Sequence, residues 1–188
     1  VGAEAIHLLG HSWGGLVAQR YAVAHPGRVR SIVLLGSGVL TPEAAMAGQR
    51  SRSQRIADLQ EQGVMPERIT SMRELLPAYF SDPEFEMPDE LRSMEYNPEV
   101  EQMTWSALAG YDFGEGLDRL EQPVLVLWGE DDPFGMAYVD ATKQTLLAAE
   151  LETVILGECG HYWHECPGES LAQVRAFLGP RLGVETGE

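Results

Sequence analysis

The sequence predicts an α/β fold built on a parallel sheet, and three observations support this. Apolar residues make up 44% of the 188-residue chain, which is enough to bury a core. Short apolar runs such as VRSIVLL at residues 29–35 are suited to strands that are covered on both faces. Segments with helical spacing separate these runs, as expected for βαβ connections.

The first βαβ unit is predicted over residues 3–35. Residues 3–9, AEAIHLL, are typical of a strand that enters the turn GHSWGG. Apolar residues then follow at i, i+3, i+4 and i+8 from Trp13, which predicts an amphipathic helix whose apolar face lies against the core. The helix should end at His25, because Pro26 disfavours helical geometry in the residue before it. A second strand is predicted over residues 29–35.

The middle of the chain differs from its two ends. Between residues 41 and 111 strand-like runs disappear and Pro or Gly recurs, which predicts several short helices inserted between strands of the sheet. We therefore divide the chain into a first core part (1–40), a helical insertion (41–111) and a second core part (112–188).

The second core part is predicted to return to alternating strands and helices. Its last helix should end at Gly179-Pro180, a common stop signal. The tail from residue 181 is expected to fray. The predicted elements are strands at 123–128 and 151–156 and helices near 136–149 and 169–178.

The turn between the first strand and helix carries the pattern G-x-S-x-G, with Ser12 at its centre. A sharp strand-to-helix turn strains the serine backbone and leaves its hydroxyl exposed at the sheet edge. The following helix N-terminus favours negative charge, so the backbone N–H of Trp13 is a candidate oxyanion donor. Asp131 and Asp132 follow the third strand and His161 follows the fourth, where the loops of a parallel sheet gather.

The segments GHSWGG, WGEDDP and GH followed by an E-x-P turn resemble the α/β-hydrolase superfamily, and prolyl aminopeptidase-like (proline iminopeptidase-like) members in particular. The resemblance covers the whole chain and implies that the insertion is a helical cap. It implies Ser12 as nucleophile, His161 as base and Asp132 as acid, since the family acid usually stands three residues after the glycine that closes the strand, here Gly129. Asp131 remains the alternative acid. This chemistry requires no metal or organic cofactor.

Side chains next to Ser12 and His161 in the sequence are candidates for substrate contact or for packing. Trp13, Tyr162 and Trp163 are candidates for substrate contact, with core packing as the alternative. His11 is expected to pack with its side chain directed away from the nucleophile. His164 is expected to cap a turn, with lining of the pocket as the alternative.

The segment CGHYWHEC, from Cys159 to Cys166, has spacings that zinc ligands also show. We disfavour zinc here because His161 has a better-motivated role as the base. Two cysteines are too few for a disulfide scaffold, so free thiols are expected.

The reaction is predicted to be cleavage of a small-molecule or short-peptide amide or ester. An aminopeptidase of the prolyl iminopeptidase type is one candidate, because acids of the insertion could hold a free amine. Pro133 stands where several such aminopeptidases carry a second acid, so an esterase or lactonase remains open, as does a non-catalytic binding protein. The acids in question are Asp82, Glu84, Glu86, Asp89, Glu90, Glu95, Glu99 and Glu101.

The charge of the chain argues against a nucleic-acid partner, and its hydropathy argues against a membrane-spanning helix. A net charge of −16 has the wrong sign for a nucleic-acid-binding surface. No apolar run approaches the ~20 residues of a membrane-spanning helix, and no signal peptide is visible, so a cytoplasmic location is expected.

The resemblance also concerns the start of the chain. The superfamily sheet usually has eight strands with the nucleophile after the fifth, so this sequence corresponds to the C-terminal portion only. We expect the N-terminal chain of the same cleaved precursor to complete it as an obligate heterodimer, the alternative being an isolated fragment. Without that chain, the first strand would be an exposed sheet edge.

Overall fold

The computed structural model describes residues 4–95, 97–108 and 110–183, and its centre is one parallel sheet. The strands lie in the order β1-β2-β3-β4, which agrees with the predicted α/β fold. The first strand begins later than predicted, and Ala3 lies outside the described residues. The strands are Ile6–His11 (β1), Val29–Leu35 (β2), Val124–Gly129 (β3) and Leu151–Leu156 (β4).

Seven α-helices accompany the sheet in the described part of the chain. Four of them lie between β2 and β3, as the insertion predicts, although the first of these is much longer than expected, at 20 residues. The division at residues 40 and 111 stays a prediction. No described helix is both long and apolar enough to span a membrane. The helices are Trp13–Ala24 (α1), Pro42–Glu61 (α2), Met72–Leu75 (α3), Asp89–Arg92 (α4), Pro98–Ala107 (α5), Ala137–Thr145 (α6) and Pro167–Leu182 (α7).

Side chains that alternate along the central strands pack on both faces of the sheet. Val124, Val126 and Trp128 pack into one apolar cluster, together with residues from α1, α2 and α6. Leu125 and Leu127 point to the other face, where they meet a second cluster that includes residues of α7. Both faces are therefore covered, which explains why β2 and β3 are almost continuously apolar.

The buried face of α1 agrees only in part with the predicted one, because Leu16 is buried but Trp13, Val17 and Tyr21 are exposed. Val17 is 55% exposed and Trp13 is 45% exposed, whereas the residues against the sheet are mostly small. Gly15 lies so close to Ser37 that a Cβ there would overlap its side chain. Close packing on the sheet favours small residues on this face, and three of the four residues of the predicted apolar stripe lie on the surface.

Helix α7 does not stop at Gly179-Pro180 as predicted, and it continues to Leu182 before Gly183 ends it with a φ of 69°. The guanidinium of Arg181 donates to the carbonyl oxygen of Phe177 at 2.6 Å and lies 3.9 Å from the centre of its ring. These contacts stabilise the last turn, where Pro180 cannot donate. The tail from residue 184 lies outside the described residues.

Helix α6 is also shorter than the predicted 136–149. It ends at Thr145, and the next residue, Leu146, leaves helical geometry with its side chain buried in the core.

The prediction of free thiols is wrong. Cys159 and Cys166 form a disulfide that closes the loop between β4 and α7. The loop folds back so that their Cα atoms lie 6.1 Å apart, within the range that a disulfide can bridge. Among the described residues, no group of three or more potential ligands could hold a metal ion.

Reduction of this disulfide is expected to lower the free energy of unfolding. The cross-link closes a short loop with a sequence separation of 7, so chain entropy predicts a loss of about 2–3 kcal/mol. Urea unfolding with and without a reducing agent measures the difference, and Cys159→Ser/Cys166→Ser serves as the control that reduction should not affect. Alkylation of both cysteines in the native, unreduced protein would contradict the disulfide.

Candidate active site

Ser12 occupies the turn between β1 and α1 with a strained backbone. Its φ of 51° lies in the left-handed region that side chains usually avoid. Its N–H donates to the carbonyl oxygen of Leu35 at 2.9 Å, which fixes the turn to the end of β2. A Cβ at Gly10 would overlap the carbonyl group of Gly14, so the first glycine of the pattern is required for the chain to turn this sharply.

The structure joins Asp132 and His161 by a hydrogen bond. His161 Nδ1 lies 2.7 Å from Asp132 Oδ2, and each residue is only 4% exposed. The other carboxylate oxygen, Oδ1, accepts from the backbone N–H of Phe134 at 2.9 Å. Because a carboxylate can only accept, Nδ1 donates, and Nε2 is the nitrogen left for proton transfer.

Asp131 lies elsewhere. Its side chain is exposed and accepts a hydrogen bond from the hydroxyl of Ser81 at 2.6 Å. Of the two candidate acids, the structure therefore brings Asp132 to His161, and it uses Asp131 to attach the insertion to the core.

Ser12 and His161 line the same cavity, which has a volume of about 650 Å³. The described residues include no hydrogen bond from the Ser12 hydroxyl. The helices of the insertion roof this space, and its wall is mainly apolar. Apolar and aromatic residues of the wall include Leu16, Leu40, Met72, Leu75, Val100, Trp105, Trp128, Phe134 and Tyr138.

Two of the three aromatic residues predicted to contact substrate line the cavity. Trp13 and Tyr162 line the cavity, although whether they contact substrate stays a prediction. Trp163 is not part of this wall. The chain turns after Tyr162 into a 3₁₀ turn, Trp163–Glu165, and the Trp163 ring stacks on His164 with centroids 4.5 Å apart. Whether Trp163 contacts substrate also stays a prediction.

His11 does more than pack. Its Nε2 donates to the backbone carbonyl oxygen of His161 at 2.9 Å, and its ring lies 5.0 Å from the His161 ring. Burial, followed by the neighbouring His161, lowers the pKa of His11 to about 4. His11 is therefore neutral at pH 7 and can hold the loop that carries His161.

Tyr79 is a site residue that the sequence analysis missed. Its carbonyl oxygen accepts from the backbone N–H of His161 at 2.7 Å, and its ring lies 5.4 Å from the His161 ring. Arg52 Nε donates to the Tyr79 hydroxyl at 2.6 Å. Burial raises the pKa of Tyr79, so its hydroxyl stays protonated. No motif marks this tyrosine, because it reaches the site only through the fold of the insertion.

Replacing each candidate acid separately tests the assignment. In Asp132→Asn the carboxylate that orients His161 is lost, so kcat for an activated ester should fall by about 10⁴-fold. In Asp131→Asn the rate should change by less than about fivefold, because an exposed hydrogen bond contributes only about 1 kcal/mol. Steady-state kinetics measure both variants, and a larger loss in Asp131→Asn would reverse the assignment.

The low pKa of His11 predicts a loss of stability in acid. Because the unfolded chain takes up a proton near pH 6.5 and the folded chain only near pH 4, the free energy of unfolding should fall as the pH drops through this window. The contribution is on the order of 2–3 kcal/mol. Urea unfolding at pH 7 and pH 4.5 measures this fall. The free energy of unfolding should fall less in His11→Gln than in the wild type, because glutamine keeps a hydrogen-bond donor but does not titrate. Equal falls in both proteins would contradict the prediction.

Comparison with known proteins places these features in a family. A family model described as the alpha/beta hydrolase family matches residues 1–174. The 2-hydroxy-6-oxononadienedioate/2-hydroxy-6-oxononatrienedioate hydrolases of Paraburkholderia phymatum and Klebsiella pneumoniae are 26% and 27% identical over 172 and 179 residues. Each alignment covers 86% of this chain but only 58% of the relative.

Solved structures show the same fold. The proline iminopeptidase of Mycobacterium smegmatis matches with a TM-score of 0.66 at 20% identity, covering 95% of this chain and 66% of that one. An N-acyl homoserine lactone degrading enzyme matches with a TM-score of 0.56 at 22% identity, covering 93% of this chain and 68% of the other. The family match over almost the whole sequence, together with the strand–Ser12–helix turn on a parallel sheet, shows that this chain belongs to the alpha/beta hydrolase family.

Proposed function

We propose that this chain carries the catalytic residues of a serine hydrolase that cleaves a small ester or amide through an acyl-enzyme. The observation that carries the proposal is the buried His161–Asp132 hydrogen bond beside a cavity that Ser12 also lines. A serine hydroxyl is a weak nucleophile without such a base, and a histidine held by a carboxylate supplies one.

The proposed reaction has two steps. Ser12 Oγ attacks the substrate carbonyl carbon while His161 Nε2 takes the hydroxyl proton, and Asp132 stabilises the imidazolium that results. The backbone N–H of Trp13, at the N-terminus of α1, donates to the oxyanion. His161 then gives its proton to the departing alcohol or amine. A water molecule, activated by His161, hydrolyses the acyl-enzyme and releases the acid.

The cavity wall favours an uncharged, apolar acyl group. Its described lining contains no Arg or Lys that could meet a carboxylate, which is unfavourable for a dicarboxylate such as the dienedioate named for the relatives. Of the eight acids considered in the insertion, only Glu95 and Glu101 line the cavity. Glu101 lies 3.0 Å from Arg52, so its charge is largely met by the protein. An ester or lactone substrate therefore fits best.

An aminopeptidase is the second candidate, favoured by Glu95 at the exposed side of the cavity. A carboxylate there could bind the free amine of a peptide or an aminoacyl amide. The fold shared with the proline iminopeptidase of known structure is compatible with this reaction but does not identify it.

The surface of β1 and α1 supports a further part of the proposal, a partner chain. β1 is at one edge of the described sheet, and Leu9 on it is 55% exposed. Val17 and Trp13 are exposed on α1, whose buried residues pack on the other face of the sheet. We propose that the N-terminal chain of the same precursor covers this edge and the exposed residues of α1 in a heterodimer, since an uncovered apolar edge promotes aggregation. The chain spans 56–58% of the length of the curated relatives it matches, so the activity proposed is that of the complete assembly.

The cellular location stays a prediction. The sequence favours the cytoplasm, whereas the Cys159–Cys166 disulfide is more typical of an oxidising compartment.

One experiment tests the nucleophile and the partner together. The native protein is treated with a fluorophosphonate, and every chain present is then identified by denaturing mass spectrometry. We expect the label on Ser12 and a second, unlabelled chain. A folded, active sample that contains this chain alone would contradict the heterodimer, and an unlabelled Ser12 in the assembled protein would favour a non-catalytic binding protein.

Substrate class is tested with p-nitrophenyl esters and aminoacyl p-nitroanilides, including the prolyl compound. The apolar esters should have the higher kcat/KM, and Glu95→Gln should leave their hydrolysis unchanged. Faster cleavage of the aminoacyl amides, with a loss in Glu95→Gln but not in the exposed control Glu99→Gln, would instead establish the aminopeptidase.

A further inference from the structure

Glu165 connects two segments that are distant in sequence. Its Oε2 atom accepts from the backbone N–H groups of Gly160, at 2.8 Å, and Ser81, at 2.9 Å. Its Oε1 atom accepts from the backbone N–H of Asp82 at 3.0 Å. One carboxylate therefore bridges the loop that carries His161 and residues 78–82 of the insertion, which we call the cap strap.

The cap strap also contacts the base directly. The carbonyl oxygen of Tyr79 accepts from the backbone N–H of His161. His161 is therefore bonded to the strap directly, whereas its neighbour Gly160 is linked to the strap through Glu165. On its other side the strap is held by the guanidinium of Arg55, which donates to carbonyl oxygens including that of Phe80 at 2.8 Å. The strap is thus attached both to α2 and to the loop of the base.

The bridge is well suited to a carboxylate, because both of its oxygens accept hydrogen bonds. Glu165 accepts three N–H groups, and among the described residues no cation forms an ion pair with it. Hydrogen bonds to an ionised acceptor are about twice as strong as neutral ones. A glutamine would present one NH₂ group, which repels any N–H that it faces.

We propose that Glu165 is a positioning residue that fixes the loop of His161 to the cap strap, so that the base is correctly placed only while the insertion is attached. This inference rests on the proposed serine hydrolase mechanism. Glu165 does not line the cavity, so it acts through the backbone of the loop and not on the substrate.

Hydrogen–deuterium exchange of the folded protein tests the bridge without any substrate. In Glu165→Gln, amides of residues 78–84 and 158–164 should lose protection together, while β3 stays protected and shows that the core is folded. The matched control is Glu84→Gln, an exposed acid near the same strap, in which protection should be unchanged. Unchanged protection in Glu165→Gln, or a loss in only one of the two segments, would overturn the bridge.

Kinetics test the consequence for the base. In Glu165→Gln, kcat for a p-nitrophenyl ester and the rate of fluorophosphonate labelling should both fall by roughly 10- to 100-fold, as expected for a displaced catalytic group. KM should stay within about twofold, because the substrate wall is intact. If Glu165→Gln does not fold, Glu165→Asp is measured instead. The shorter aspartate side chain cannot reach both segments, so the same losses of protection and of kcat are expected in this variant.

The outcomes separate this inference from the proposed function. Wild-type protein that resists fluorophosphonate refutes the hydrolase, whereas loss of protection in Glu165→Gln still supports the bridge. Normal labelling and normal kcat in Glu165→Gln would overturn the positioning role even if the wild type is a hydrolase. A rise in KM alone would also overturn it, because that result indicates a structural effect on the cavity.

Discussion

The hydrogen bond between His161 and Asp132 is the constraint on which the rest of the site depends. The two residues lie on separate loops, and both side chains are removed from water. Such a pair forms only where two neighbouring strands end side by side, and the parallel register pairs Gly129 with Leu156 at the ends of β3 and β4. The sheet therefore fixes where acid and base can meet.

Close approach of backbones completes this arrangement. A Cβ at Gly129 would overlap the carbonyl oxygens of Cys159 and Gly160, and Gly36 has a φ of 49° with its Cα facing His161. These glycines allow the loop of the base to lie directly on the strand ends. The disulfide, His11 and the cap strap then hold the same loop from other directions. Several weak constraints thus act on one histidine.

Much of this could be predicted from sequence, because local chemistry determined it. The turn around Ser12 requires small residues and a strand-to-helix change, and the strand runs at β2 and β4 are unambiguous. The preference for Asp132 followed from the family pattern, and the structure pairs this residue with His161. Its catalytic role remains a prediction.

The failures have a common physical origin in tertiary contacts. The periodicity of α1 indicated a buried apolar face, but only Leu16 of that face is buried, and close packing on the sheet favours small residues such as Gly15 and Ala18 beside it. Gly179-Pro180 could not stop α7 because Arg181 stabilises the next turn. Tyr79 reaches the site through a contact between segments about 80 residues apart, which no local pattern indicates. The E-x-P turn contains Glu165, but it does not indicate the equally distant contact of Glu165 with Ser81.

In the proposed mechanism Ser12 forms an acyl-enzyme with His161 as its base. Rapid mixing of the assembled protein with p-nitrophenyl butyrate, followed by acid quenching and peptide mass spectrometry, would detect this intermediate. We expect a burst of about one equivalent of p-nitrophenol and a butyryl group on Ser12, both abolished in His161→Gln. Turnover without a burst and without acylated Ser12, or an equal burst in His161→Gln, would contradict it.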